Sequence, residues 1–375
     1  MAVALYVIAG ELSGDAHGAG LLQALREARP DLAISGAGGP KMRAIAGESL
    51  RDWVEEAAVV GVWEVLKRYG WFKQRFDEML AEIRALRPKV LLLIDYPGFN
   101  LRFAKAVRTE LPETKIVYYI SPQVWAWNKG RLPVMAQTLD EMLCLFPFEK
   151  PIFEGAGLLT KFVGHPLVDE LEHERTGIPR EENLVALMPG SREREVERLF
   201  PMMLQSARRL LTKRPQTRFE APGASRKLTA RMQALAAEAG LREAVSVTDG
   251  GAHRLMQRAT CGVVASGTAT LEAAYYGLPY CLVYKVAWPT YLMARMVVKI
   301  EHIGLINILA GAGVVEEFIQ SDADPLHVEQ SLSRFLSDPA FAEETRKKLL
   351  ATAAKLGGPG AHERAAAAVN HWLSV

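Results

Sequence analysis

The chain has 375 residues, of which 49% are hydrophobic and 23% are charged, and its formal net charge is only +2. This length favours two domains over a single core, and the nearly balanced charge argues against a nucleic-acid partner. Three cysteines without metal-ligand spacing predict buried, reduced thiols. The first residues lack the basic segment of a signal peptide, and no apolar stretch is long enough to span a bilayer, so a cytoplasmic location is expected.

The first half of the chain alternates apolar strand patterns with helical ones. Residues 3–9 predict a strand and residues 16–28 a helix, and a turn joins them. A second strand begins at Ile34 and runs into a glycine turn that does not match a dinucleotide-binding fingerprint. Continuous apolar runs at 90–95 and 115–120 are typical of buried parallel strands. This half therefore predicts a doubly wound α/β domain.

A short linker at 162–166 precedes a second series of strands and helices. The strand patterns of this second α/β domain fall at 184–188, 218–221, 245–248, 262–265 and 280–284. We therefore predict an N-terminal Rossmann-like domain at 1–168, a C-terminal one at 180–345 and a helical tail at 346–375. Facing carboxyl edges of two such parallel sheets would leave an interdomain cleft for a ligand.

The turn after the first strand of the second domain is the leading candidate for an anion site. An apolar run reaches Pro189 and Gly190, and Ser191 and Arg192 follow at the start of a long amphipathic segment. Backbone N–H groups at a strand-to-helix turn can receive a phosphate, so we interpret Ser191 and Arg192 as diphosphate ligands. The alternative is an ordinary turn with Ser191 as a helix cap and Arg192 in solvent.

A second turn of this kind follows at Ser266, Gly267 and Thr268. The glycine allows close approach of the backbone, and both hydroxyls could bind phosphate or cap a helix. Glu272 lies one helical turn after Thr268 on the same face, where its carboxylate could accept hydrogen bonds from ribose hydroxyls. A capped helix with an ordinary glutamate is the alternative, but two such turns in one domain favour a nucleotide.

Eight motifs taken together resemble the lipid-A-disaccharide synthase family. They begin at Gly10 (GELSGD), Asp95 (DYPGFN), Ser121 (SPQVWAW), Pro147 (PFEK), Gly164 (GHP), Met188 (MPGSR), Ser266 (SGTATLE) and Asn307 (NILAG). The resemblance implies a GT-B glycosyltransferase with two facing Rossmann-like domains, which holds UDP mainly in the C-terminal one. It also implies that UDP-2,3-diacylglucosamine donates its sugar to 2,3-diacylglucosamine 1-phosphate, giving a β-1,6-linked disaccharide 1-phosphate and UDP. No metal and no cofactor is implied.

Sugar transfer with inversion needs a base for the incoming hydroxyl and a stabilising group for the departing diphosphate. Asp95 ends a buried strand and matches the family's essential aspartate, so we predict that it is the base. Glu11, at the end of the first strand, is the second predicted catalytic carboxylate, which positions the base or shares its proton. The alternative for Asp95 is a structural cap of the turn before Pro97.

The remaining predicted site residues belong to the two substrates. The nucleotide-sugar side comprises Gly190, Ser191, Arg192, Ser266, Gly267, Thr268 and Glu272, together with Asn307 and Gln320 by resemblance. The acceptor side comprises Ser13, Asp15, Asn100, Ser121 and Trp125, of which Ser13 and Asp15 are interpreted as turn and cap residues. A metal site is not predicted, because the pair Asp322 and Asp324 precedes a proline and favours a cap, and the histidines lack ligand spacing.

Residues 59–76 mix aromatic, aliphatic and basic side chains in a way that suits an anionic bilayer surface. The predicted membrane contacts are Val62, Trp63, Leu66, Lys67, Arg68, Trp71, Phe72 and Lys73. The alternative is a helix packed on the domain, but acylated substrates favour the membrane. We therefore expect peripheral association with the cytoplasmic face of the inner membrane. A homodimer, and packing of the tail on its own or another chain, stay open.

Two other functions are consistent with parts of the sequence. A different UDP-sugar enzyme of the same architecture, such as a peptidoglycan glycosyltransferase or an epimerase, would share the C-terminal features but lack the set formed by Glu11, Asp95 and residues 121–127. A non-catalytic nucleotide-sugar binding protein would need no carboxylate in the cleft. Glu11 and Asp95 argue against it.

Overall fold

The computed structural model describes residues 3–57, 68–127, 129–288, 291 and 301–375. The chain folds into two compact units. Unit 1 contains Met1–Pro166 and Gly357–Val375, and unit 2 contains Leu167–Leu356. Within the described ranges, no helix is both long enough and apolar enough to cross a membrane.

Unit 1 is built on a seven-stranded parallel sheet. Its strands are β1 (Leu5–Ala9), β2 (Ile34–Gly38), β3 (Leu50–Asp52), β4 (Val90–Ile94), β5 (Lys115–Tyr119), β6 (Glu141–Cys144) and β7 (Thr160–Phe162). They lie in the order β3-β2-β1-β4-β5-β6-β7. The helices between them are α1 (Leu12–Ala28), α2 (Pro40–Ala46), α3 (Val54–Ala57), α4 (Tyr69–Leu86), α5 (Pro97–Glu110), α6 (Val124–Trp127), α7 (Leu132–Thr138) and α8 (Glu149–Glu154).

Unit 2 contains a six-stranded parallel sheet. Its strands are β8 (Glu181–Met188), β9 (Arg218–Gly223), β10 (Val245–Asp249), β11 (Ala259–Ala265), β12 (Tyr280–Tyr284) and β13 (Glu317–Ile319), in the order β10-β9-β8-β11-β12-β13. The described helices are α9 (Leu167–His173), α10 (Glu193–Lys213), α11 (Arg226–Glu238), α12 (Ala252–Arg258), α13 (Ala269–Tyr275), α14 (Leu305–Ala310), α15 (Pro325–Ser337) and α16 (Pro339–Ala353). A strand order that reverses beside the first strand is the doubly wound arrangement.

The central strands form where the sequence has continuous apolar runs. Every residue of β1 and β4 is buried, as expected for parallel strands covered by helices on both faces. The predicted strands are confirmed, with small changes at their ends. The strands β3, β6, β7 and β13, of three or four residues, were not predicted, because so short a segment has no measurable periodicity. The predicted turn at 10–15 is wrong from Leu12 onward, since α1 already begins there.

The last helix, α17 (Ala361–Ser374), belongs to unit 1. Trp372 donates its indole N–H to Glu141 over 2.7 Å, and Arg364 donates to the carbonyl of Val163 over 2.7 Å. A Cβ added at Gly20 of α1 would stand 2.4 Å from the ring of His362, so the glycine lets the two helices approach closely. The predicted tail at 346–375 is thus divided, because α16 lies in unit 2 and α17 in unit 1.

Candidate active site

Two carboxylates leave the sheet of unit 1 side by side. Strands β1 and β4 pair in parallel with Ala9 opposite Ile94, so Glu11 and Asp95 both follow at the same carboxyl edge. Gly10 makes this proximity feasible, since a Cβ there would stand 2.3 Å from the ring of Tyr96. The two predicted catalytic residues therefore lie at one edge of one sheet.

The backbone at Asp95 is held in an uncommon conformation. Asp95 and Tyr96 have φ angles of 45° and 50°, in the left-handed region that residues with a Cβ seldom adopt. The carbonyl of Asp95 accepts hydrogen bonds from the Asn100 amide at 2.7 Å and the Tyr118 hydroxyl at 2.5 Å. Such conformations persist where the surroundings enforce them, often at functional sites. The Asn100 side chain is fully buried and supports this turn, and its predicted place on the acceptor side stays a prediction.

The pKa of the Asp95 carboxyl is raised to about 6. Burial of the side chain is the largest cause, and the negative charge of Glu11 is the second. Both effects disfavour the charged form of an acid. A carboxyl with this pKa is ionised at neutral pH yet takes up a proton readily, which is the property that a general base needs.

Glu149 organises the predicted acceptor residues, and sequence reasoning did not single it out. Its carboxylate accepts hydrogen bonds from the Trp125 indole at 3.1 Å and the Phe146 backbone N–H at 3.2 Å, and it also bonds the Ser121 side chain. Burial raises its pKa to about 7 despite these donors. The signal was present in the PFEK motif, where an acid follows the apolar strand β6. Ser121 and Trp125 are thus brought together.

Asp15 is a capping residue, as its sequence context predicted, and its contribution to the shape of the acceptor side stays a prediction. The buried carboxylate accepts hydrogen bonds from the backbone N–H groups of Gly39, Lys41 and Met42, at 2.9 to 3.1 Å. These donors lie at the beginning of α2, so Asp15 caps that helix from outside. Ser13 lies in the first turn of α1 with its side chain exposed.

The predicted membrane contacts are only partly described. Val62, Trp63, Leu66 and Lys67 lie outside the described residues. Trp71 stacks on the buried Trp53 with ring centroids 5.9 Å apart, and Phe72 packs edge-on against Trp71. Arg68 and Lys73 are exposed. The described part of the segment therefore has an aromatic side that packs on unit 1 and a basic side in solvent.

The two predicted phosphate turns are adjacent in unit 2. Strands β8 and β11 are parallel neighbours, and their carboxyl ends lead into Gly190 and Ser266. Both glycines of the turns, Gly190 and Gly267, have positive φ angles, of 105° and 147°. Together the turns line a cavity of about 370 Å³. Its lining includes residues 190–192, 222–224, 250–252, 265–269 and Glu272.

A carboxylate already occupies part of the first turn. Glu195 Oε2 accepts hydrogen bonds from the backbone N–H groups of Ser191 at 3.2 Å and Arg192 at 3.3 Å, and Oε1 pairs with the Arg192 guanidinium at 3.1 Å. This is a capping box at the start of α10, with Arg192 rather than Ser191 as the N-cap residue. Glu195 satisfies these backbone donors, so the groups of this turn that can meet an anion are the Ser191 hydroxyl and the Arg192 guanidinium, which is 82% exposed although it pairs with Glu195.

The second turn presents hydroxyls and one carboxylate. Thr268 is exposed and Ser266 half-buried at the cavity, and neither makes a cap hydrogen bond that the structure records. Glu272 follows one turn later, with its backbone N–H bonded to the Thr268 carbonyl at 3.2 Å. Its Oε2 lies 3.3 Å from a ring nitrogen of His253. Six predicted nucleotide-side residues and Glu272 therefore meet at one cavity.

Asn307 and Gln320 do not join that cavity. Asn307 is fully buried, and its amide bonds the backbone of Val314 and Val315 and the carboxylate of Glu317. Gln320 bonds the backbone N–H and C=O of Val286 and lines a different cavity. The polar atoms of both side chains hold loops of unit 2 in this structure, and their contacts with the nucleotide stay predictions. Asp324 caps α15 as predicted.

Solved structures with a similar fold include a putative UDP-N-acetylglucosamine 2-epimerase from Listeria monocytogenes, with a TM-score of 0.63 and 13% identity over 99% of this chain and 96% of that one. The structure of the glycotransferase of kitacinnamycin has a TM-score of 0.59 to this chain and 15% sequence identity, and the match covers 99% of this chain and 98% of that one. At such identities the likeness concerns the fold alone, and with the two parallel sheets it defines a protein of the GT-B class.

A family model described as Lipid-A-disaccharide synthetase matches residues 5–371. The lipid-A-disaccharide synthase of Geobacter sulfurreducens is 40% identical over 380 residues, which cover 98% of this chain and 97% of the relative. The chain belongs to the lipid-A-disaccharide synthase family. It is a hexosyltransferase of lipid A disaccharide synthesis.

Proposed function

We propose that the chain transfers the sugar of UDP-2,3-diacylglucosamine to the 6-hydroxyl of 2,3-diacylglucosamine 1-phosphate, with inversion at the anomeric carbon. The products are the β-1,6-linked disaccharide 1-phosphate and UDP. The observation that carries the proposal is the pair of strand-end carboxylates, because the pKa of about 6 at Asp95 suits a base that works at neutral pH. Membership of the family supports the substrate class.

In the proposed reaction Asp95 acts on the acceptor. Its ionised carboxylate takes the proton of the 6-hydroxyl while that oxygen forms a bond to the anomeric carbon of the donor. The bond between that carbon and the diphosphate oxygen breaks, and its electron pair leaves with UDP. Glu11 keeps the pKa of Asp95 raised, which makes Asp95 a stronger base.

On the donor side we assign the developing charge of the diphosphate to Arg192. Its guanidinium is exposed at the cavity, and the hydroxyls of Ser191, Ser266 and Thr268 can donate further hydrogen bonds. Preorganised donors aimed at a leaving group are a major source of transition-state stabilisation. The backbone N–H groups of residues 191 and 192 contribute less, since Glu195 already accepts from them.

The acyl chains of both substrates need an apolar environment during the reaction. We propose that the segment at 59–76 holds unit 1 at the cytoplasmic face of the inner membrane, with Arg68 and Lys73 at the level of anionic headgroups. Co-sedimentation with vesicles containing anionic lipid tests this proposal, and absence of binding at both low and high salt would contradict it. Sedimentation of the purified protein alone tests the homodimer.

The decisive experiment is incubation with the two acylated glucosamine substrates, followed by detection of UDP and a tetra-acylated disaccharide phosphate. An epimerase would instead interconvert a UDP-sugar without an acceptor. A non-catalytic binding protein would bind UDP and form neither product. Absence of the disaccharide from protein that is folded and binds UDP would refute the proposed reaction.

A further inference from the structure

The side chain of His253 lies between two carboxylates at the nucleotide-side cavity of unit 2. Its Nδ1 is 2.9 Å from Oε2 of Glu174, and its Nε2 is 3.3 Å from Oε2 of Glu272. Glu272 lines the cavity, whereas Glu174 follows α9 on the outer side of the histidine. The imidazole is thus a bridge between a solvent-facing acid and the acid predicted to bind ribose.

This arrangement requires a charged imidazole. An ionised carboxylate only accepts hydrogen bonds, so both ring nitrogens must carry protons to bond both acids. The pKa of His253 is raised to about 9, chiefly by the hydrogen bond to Glu272. Glu170 and the ring of Tyr276 also face the histidine. Ligand atoms of Glu170, Glu174 and His253 lie within 4.8 Å of one another, and both ring nitrogens of His253 already face carboxylate oxygens.

The bridge is fixed in place by its surroundings. His253 has a side chain only 15% exposed, and its backbone carbonyl accepts a hydrogen bond from Gln257 at 3.2 Å. Gln257 also bonds the Glu174 carbonyl and the Thr176 N–H, so α12 is tied to the segment that carries Glu174. These bonds hold Glu174 beside α12, and turning the imidazole away from Glu272 would also break its contact with Glu174.

One oxygen of Glu272 is engaged by His253, and the other is left for a ligand. We propose that His253 is a positioning residue for nucleotide binding, which fixes the Glu272 carboxylate so that its second oxygen accepts hydrogen bonds from the ribose hydroxyls. Glu174 accepts a hydrogen bond from the other ring nitrogen and so fixes the orientation of the imidazole. The inference rests on the proposed function, because it takes the cavity to hold the UDP of the donor.

The test is a comparison of two ligands by calorimetry, UDP and 2′,3′-dideoxy-UDP, which lacks the hydroxyls. We expect His253→Ala to bind UDP about 10-fold more weakly, the usual effect of losing a hydrogen bond to a charged group. Its affinity for 2′,3′-dideoxy-UDP stays at the wild-type value. His253→Gln, which keeps one N–H donor, recovers part of the loss. In turnover, KM for the donor rises while kcat changes little.

Matched variants separate positioning from general damage. His173→Ala removes an exposed histidine at the end of α9 and should bind both ligands as the wild type does. Glu272→Ala should lose UDP affinity, and adding His253→Ala to it should weaken binding no further.

The outcomes distinguish this inference from the proposed function. If the wild type does not bind UDP, the proposed function fails, and this inference fails with it. If the wild type binds UDP and His253→Ala binds it equally well, only the inference is overturned. Equal losses for UDP and 2′,3′-dideoxy-UDP would also overturn it, since they would indicate damage to the cavity rather than loss of the ribose contact.

Discussion

Replacement of Asp95 by asparagine should abolish turnover and at the same time stabilise the fold. Asparagine keeps the size and the polar character of the side chain but cannot accept the acceptor's proton. Loss of a general base lowers kcat/KM by about 10²- to 10⁴-fold. The opposite effect on stability follows from the raised pKa, because the native protein holds an acid in surroundings that disfavour its charge.

The size of the stability gain follows from linkage between protonation and folding. The pKa of Asp95 is about 6 in the folded protein against an ordinary 3.8, so the folded state binds more protons than the unfolded state between these two values. Wild-type stability therefore falls as the pH rises through this window. Above pH 6 the raised pKa lowers the free energy of unfolding of the wild type by about 3 kcal/mol, and Asp95→Asn does not have this loss.

The raised pKa of Asp95 should also be visible in the pH dependence of turnover. Half of the Asp95 carboxyl groups are ionised when the pH equals their pKa. One pH unit lower, the ionised fraction is about a tenth. The acidic limb of kcat/KM should therefore have its midpoint near pH 6. Glu11→Gln should move the midpoint downward, because it removes the second cause of the raised pKa. Burial, the larger cause, remains, so the midpoint stays above the ordinary range.

The assay combines UDP release with urea unfolding at pH 4, 5, 6 and 7. Asp52→Asn is the matched control, since Asp52 is an exposed aspartate at the end of β3 in the same sheet. It should retain both activity and stability. Turnover within threefold of wild type in a folded Asp95→Asn protein would refute the assignment of the base. An inactive variant that is also destabilised at pH 7 would refute the argument from burial.

Three further predictions concern neighbouring residues. Arg192→Ala should weaken UDP binding by up to about 10-fold, measured by calorimetry, whereas Arg194→Ala, in the same helical turn, should not. Equal effects of the two changes would show only a general loss of positive charge. The free energy of unfolding of Glu149→Gln should rise relative to that of the wild type between pH 5 and pH 8, by up to about 3 kcal/mol, because the pKa of Glu149 is raised to about 7 in the folded protein. A difference in urea unfolding that does not change with pH would contradict this prediction. Asp15→Ala should cost about 2 kcal/mol in unfolding free energy without changing KM for the acceptor, since Asp15 caps α2.

The sequence predicted those parts of the site that depend on one strand and the turn after it. Asp95 could be placed because an apolar run ends in an acid, and the turns at 190–192 and 266–268 could be placed for the same reason. The residues of other strands that lie beside them could not be placed, because this depends on which strands pair in the sheet. The role predicted for Glu11 already required it to lie near Asp95, and the register of β1 on β4 provides that proximity.

At several predicted site residues the side chain also satisfies the backbone. Asn100, Asp15 and Asn307 were all placed near substrates, and in each case the side-chain atoms hold a turn or a helix end. Polar residues beside Gly-rich turns are suited to both duties, and only the direction of the side chain separates them. The capping role of Glu195 was readable from its spacing after Arg192, which matches a capping box, but the alternative interpretation of the turn considered Ser191 as the cap residue.

The pairing of Arg192 with Glu195 also bears on how the donor is recognised. One guanidinium set against one carboxylate gives this turn no net charge, and an exposed ion pair is worth at most about 1 kcal/mol. The attraction of the turn for a bare diphosphate is therefore modest, and in the proposed mechanism recognition of the donor depends more on contacts with the nucleoside, including the proposed contact of Glu272. In that mechanism charge accumulates on the leaving oxygen as the glycosidic bond breaks, and Arg192 gains more from that oxygen than from the intact donor. Interactions that strengthen in this way raise kcat rather than only lowering KM.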